Sequence, residues 1–195
     1  MGRNQAWAEN FRVKTQPREA PGPGNGTRGR LAQRPALLLG LGNVLLTDDG
    51  VGVHVLHALR SDFARAGESP SIRLCDGGTL GLELLTELED VDSLIVIDAT
   101  RFGAAPGSVR VFVDTEMDEQ LRGVRSSVHE VALTDLIAAA QLTERAPARR
   151  ALVGIQPESL HWGTEPTTAV QAAIPRACAA VRELLIDWGE CDARG

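Results

Sequence analysis

The chain is poor in cysteine. Its 195 residues contain three, Cys75, Cys178 and Cys191, which lie far apart and form no CxxC pair. That pattern argues against a disulfide framework and points to a reducing compartment. Long apolar runs are also missing: none approaches a membrane span, and the N-terminus has no continuous apolar signal core, so a soluble cytoplasmic protein is expected. Positive charge is not in excess. Lys and Arg total 20 against 26 Asp and Glu, a formal charge of −6 with a pI near 5.3, which argues against nucleic-acid or anionic-membrane partners.

Several catalytic signatures are absent too. There is no HExxH helix, and His129 and His161 are not spaced to form one. Ser126, Ser127 and Ser159 lack a G-x-S-x-G elbow, so a serine triad is not expected. Cys75 and Cys178 fall in buried-looking elements, where thiols are usually inert. Gly40-Leu41-Gly42 begins like a dinucleotide-binding turn, but the position of the third glycine is Leu45, and two acids follow that would repel a pyrophosphate.

What is present divides the chain in two. Residues 1–35 hold Pro17, Pro21, Pro23 and the run Gly22-Pro23-Gly24-Asn25-Gly26, with little apolar periodicity. Such a segment cannot bury enough apolar surface to offset its ordering entropy, so a disordered extension is expected there. Residues 36–190 read as one domain, for which 43% hydrophobic content suffices. Short runs rich in Val, Ile and Leu at 36–41, 71–75, 94–98, 108–113 and 151–156 are continuous rather than alternating, as in strands covered on both faces. Helices are expected at 51–66, 80–88, 131–142 and 167–188, with Pro175 kinking or restarting the last. The alternation predicts an α/β fold: a three-layer α/β/α domain with a twisted, mostly parallel five-stranded sheet.

Polar residues stand at the ends of these runs. Asp48 and Asp49 follow the first strand, Asp98 closes Leu94-Ile95-Val96-Ile97-Asp98, and His129 lies in a loop just before the third helix. Ligands of open α/β sheets bind at the carboxyl ends of strands. Two carboxylates and an imidazole suit a divalent first-row metal, with an affinity that depends on pH because the imidazole must be neutral to bind. The same residues also have ordinary uses. An aspartate closing a strand caps the next turn, and a loop histidine is commonly solvated. Asp48 suits the first turn of a helix through the dipole, and Asp76 suits a turn. His54 and His57 read as surface or partly packed residues. The stretch from Gly154 to Gly163 reads as a strand entering a loop, ended by Pro157, with Trp162 half-buried; the other reading makes it a wall of a substrate cleft.

Gly40-Leu41-Gly42-Asn43 through Asp48-Asp49-Gly50-Val51-Gly52 resembles the opening motif of the hydrogenase maturation endopeptidases. Four further blocks fit in the same order. They run from Asp76 to Leu85, over Ile97-Asp98-Ala99, from Ser127 to Leu133, and from Gly154 to Leu160, so the likeness covers about 37–188. The resemblance implies a twisted parallel-type sheet between helices. It also implies an endopeptidase that removes a short C-terminal extension from the nickel-loaded precursor of a nickel–iron hydrogenase large subunit. The implied metal-contacting trio falls on Asp49, Asp98 and His129, with Asp76 a supporting candidate. The first acid is often glutamate in this family, so Asp49 has one methylene less reach. The implied metal is nickel carried by the substrate, with other divalent ions able to occupy the site in vitro. Water would be activated by one of the aspartates, or the carbonyl polarised by the metal. Two other readings use the same residues: a non-enzymatic nickel-binding chaperone or sensor docking on the precursor, and a broad-specificity peptidase.

Overall fold

A computed structural model describes residues 34–66, 71–79, 82–123, 128–143 and 146–191, with the side chains of all of these but 66, 82, 83 and 128–131. The sequence's N-terminal extension, apart from its last two residues, lies outside that set. Five strands form one sheet: β1 (Ala36–Leu41), β2 (Ile72–Gly78), β3 (Ser93–Ala99), β4 (Val109–Val113) and β5 (Arg149–Ile155). Their order is β2-β1-β3-β5-β4, and every pairing is parallel except that of edge strand β4 with β5. The expected five-stranded α/β architecture is therefore present.

The continuous apolar runs follow from this arrangement. Successive side chains of a strand point to opposite faces, so a strand covered on both sides needs apolar residues throughout. Leu38, Ile95, Ile97 and Val153 face a core shared with α1 (Val51–Ala66) and α5 (Ile174–Asp187), where Val55, Leu56, Leu59, Ala177, Val181 and Leu184 are buried. Leu37, Leu39, Leu94, Val96 and Leu152 face a second core with α2 (Thr115–Arg122) and α3 (Val128–Leu142). Each buried leucine or isoleucine contributes about 1.5–3 kcal/mol over its exposed state.

The structure corrects the sequence reading in four elements. The segment expected as a helix at 80–88 is a 3-10 turn, Leu82–Leu88, while 80 and 81 lie outside the described residues. The long terminal helix is two, α4 (Thr168–Gln171) and α5, and Pro175 opens the second, where its missing N–H costs no helical bond. Helix α2 was not expected: only Met117 and Leu121 of its eight residues are buried, too few to mark an apolar face. Finally, α3 begins at Val128 rather than near Val131.

At the N-terminal edge of the sheet the chain's end is tied back. The buried carboxylate of Glu190 accepts from Ser93 Oγ at 2.7 Å and Arg149 Nη2 at 2.5 Å, and Arg149 lies over the Trp188 ring.

Candidate active site

The glycines of the opening motif are there for close approach. β1 ends at Leu41, and Gly42 turns the chain with φ +122°, in a place where a Cβ would overlap the Asp49 carbonyl. A Cβ on Gly52 would overlap the carbonyls of both Ile97 and Leu41. The start of α1 is thereby pressed against the carboxyl ends of β1 and β3, and the 3-10 turn Thr47–Gly50 packs beside β3.

That packing sets the turn that carries Asp49 beside β3, the strand that carries Asp98. Asp49, 5% exposed, sits in the turn and its Oδ2 accepts from the Asn43 amide at 2.9 Å. Asp98, 1% exposed, is the last residue but one of β3, one beyond the pairing of Gly40 with Ile97. Strand alternation puts Asp98 on the face of Leu94 and Val96, the face covered by α2 and α3. His129 belongs to the first turn of α3 rather than to the loop expected from sequence, and its side chain lies outside the described residues. Among the described residues no three His, Cys, Asp or Glu side chains gather to hold an ion.

Asp48 has a role that sequence did not reveal. Instead of serving a helix dipole, its wholly buried carboxylate reaches the segment after β5. Oδ2 accepts from the Glu158 and Ser159 amides at 2.8 and 2.9 Å and from the Thr167 hydroxyl at 3.1 Å, and Oδ1 accepts from the Thr167 amide at 2.6 Å. Thr47 adds two bonds to the same segment, from its amide to the Gly163 carbonyl and from its hydroxyl to the Ser159 carbonyl, both 2.7 Å. These contacts give the Gly154–Gly163 stretch a structural role. They also turn Trp162 outward, 81% exposed rather than half-buried.

Gln156 was likewise missed. Buried at the end of β5, it accepts from the Phe102 and Ala104 amides at 3.0 and 3.3 Å and so shapes the loop that follows Asp98. The signal was available: a polar residue closing an apolar run, as Asp98 does. Beside this loop lies an open groove of about 800 Å³ lined by Arg101, Phe102, Arg110, Phe112, Gln120 and Gln156. Arg110 stands in register with Gly154 and through it with Asp98, and its guanidinium lies 4.7 Å from the centre of the Phe112 ring.

Asp76 stands opposite Gly40, on the side of β1 away from β3. Asp76 is exposed in β2, and its Oδ1 accepts from the Gly78 amide at 3.0 Å, a local turn contact. Burial raises the Cys75 thiol, aided by Glu87 and Asp76, and pushes Cys178 up to about 11, so neither is a ready nucleophile. Ser126 and Ser127 lie outside the described residues. No helix among the described residues is long and apolar enough to cross a membrane.

The three-layer α/β domain is the fold to which the comparisons with known proteins also lead. The sequence model described as "Hydrogenase maturation protease" matches residues 53–184, and the chain belongs to that family. It is 40% identical over 155 residues to the hydrogenase expression/formation protein HupD of Rhodobacter capsulatus, covering 78% of this chain and 72% of that one. It is 36% identical over 152 residues to the hydrogenase 2 maturation protease of Escherichia coli K12, covering 75% and 90%. Among solved structures, the hydrogenase maturating endopeptidase HybD from E. coli superposes with a TM-score of 0.72 at 33% identity, over 80% of this chain and 94% of that one. The [NiFe] hydrogenase maturation protease HybD of Thermococcus kodakarensis gives 0.65 at 27% identity, over 77% and 98%. The chain is a peptidase of the hydrogenase maturation type, which favours the endopeptidase reading over a docking chaperone.

Proposed function

We propose that this endopeptidase removes a C-terminal extension from the nickel-loaded precursor of a nickel–iron hydrogenase large subunit, and that Asp49, Asp98 and His129 contact nickel held by that substrate. The observation that carries the reading is the burial of both Asp49 and Asp98, one in the turn packed beside β3 and the other near the carboxyl end of β3 itself. Charges are not buried at such an edge without a cation or hydrogen-bond donors to face. The first turn of α3, which carries His129, belongs to the layer covering the face toward which Asp98 points.

In this reading, coordination to substrate nickel is binding energy spent on orienting the scissile bond, so cleavage becomes conditional on metal loading. The groove beside the loop that follows β3 offers room for the peptide on either side of that bond. Arg101 and Arg110 supply donors for its carbonyls, and Phe102 and Phe112 supply apolar wall. Replacing Asp98 with Asn tests the site. The variant should fold, because the change keeps shape, and should leave the precursor uncut in an intact-mass assay; cleavage at the wild-type rate would remove Asp98 from the site.

A further inference from the structure

Among the described residues, Asp48 is the wholly buried carboxylate in the turn of the candidate site that the proposed reaction does not use. Removing an ionised carboxylate from water is costly unless donors replace the water, and here three amides and a hydroxyl do so. All four donors come from the segment after β5, 110 to 119 residues away in sequence. The turn they hold carries an unusual backbone. Thr47 has φ +41°, a left-handed conformation that a β-branched residue adopts only under constraint, and its amide and hydroxyl both bond to that same segment.

The consequence falls on the next residue. Asp49 is one peptide from Asp48, its carboxylate held by the Asn43 amide within the same turn. The inner side of the turn rests on Gly42, while its outer side is closed by the 158–167 segment. A strained turn without that outer tie would relax, and Asp49 would move with it.

We infer that Asp48 is a positioning residue: it locks the post-β5 segment onto the turn so that the Asp49 carboxylate is held where the substrate's metal is to be met. The inference rests on the function proposed above and adds to it a residue that touches no substrate. It requires the carboxylate and not merely its shape. Asparagine retains one acceptor, but its NH₂ group faces either the Glu158 and Ser159 amides or the Thr167 amide, and donors do not bond to donors.

The test is Asp48→Asn in the full chain, with two readouts. One is the amide resonance of Asn43, whose proton reports the bond to Asp49. It should move upfield in Asp48→Asn, toward its position in Asp49→Asn. The other is precursor cleavage well below the variant's melting temperature, where kcat should fall at least about tenfold with KM within twofold. An unmoved Asn43 amide, or a wild-type kcat in the folded variant, overturns the positioning role. If Asp48→Asn does not fold, Thr167→Val takes its place. It removes one bond and should shift the Asn43 amide in the same direction by a smaller amount, and no shift there overturns the role equally. A wild-type protein that leaves the precursor intact would instead remove the proposed function, and the Asn43 resonance would still decide the role of Asp48.

Discussion

At the scale of single residues, burial sorts the polar groups by what they face. Asp48 faces amides of the segment after β5, Gln156 faces those of Phe102 and Ala104, and Asp49 faces that of Asn43. The cysteines show the same physics with the opposite sign, since desolvation disfavours thiolate. With Cys178 pushed up to about 11 from an ordinary 9, its thiolate population at pH 8 is lower by roughly a hundredfold. Raising the pH toward 11 should restore it. Native-state alkylation by iodoacetamide should therefore be at least about a hundredfold slower at Cys178 than at a free thiol. Mass mapping after a timed reaction checks this; labelling at the free-thiol rate would contradict the packing described.

At the scale of elements, legibility followed locality. β1 and β3 were readable because both faces are buried and the apolar runs are unbroken. The end of β3 was readable for the same reason: a carboxylate closing such a run stands out. Helix α2 was not, because only Met117 and Leu121 mark its buried face and its other tie to the sheet is polar. Arg150 makes a two-pronged pair with Asp118 at 2.7 and 3.2 Å, between residues 32 apart, and that hydrogen bond holds the guanidinium firmly charged. Asp48 was misread because its partners lie more than a hundred residues on, and Trp162 because the tie that turns it outward is the same one. The packing of α1 yields a prediction at this scale. Gly52→Ala drives a methyl into two carbonyl oxygens that belong to the sheet, where neither can give way easily. Overpacking of this kind costs about 1–3 kcal/mol or more, and urea denaturation should show a loss at the upper end; an unchanged midpoint would mean that α1 does not press on β1 and β3 as described.

At the scale of the whole molecule, the sheet is closed differently at its two edges. The carboxyl edge holds the candidate site, and the amino edge is fastened by Glu190, whose carboxylate joins Ser93 at the start of β3 to Arg149 at the start of β5. Breaking a buried ion pair costs about 3–5 kcal/mol, and because Arg149 remains partly in water the loss here should be nearer 2 kcal/mol. Glu190→Ala should thus lower the melting temperature by several degrees yet leave the processing rate of the folded enzyme unchanged, since the two edges are a strand length apart. Loss of kcat in that variant at a temperature where it is folded would show the edges to be coupled.

The central claim is that cleavage is conditional on metal in the substrate. Its most direct test is intact-mass spectrometry of a large-subunit precursor, prepared with and without nickel, after incubation with this protein. Loss of a C-terminal peptide is expected from the nickel-loaded precursor alone. Equal cleavage of both forms would contradict it, leaving an endopeptidase whose buried aspartates do something other than read the metal.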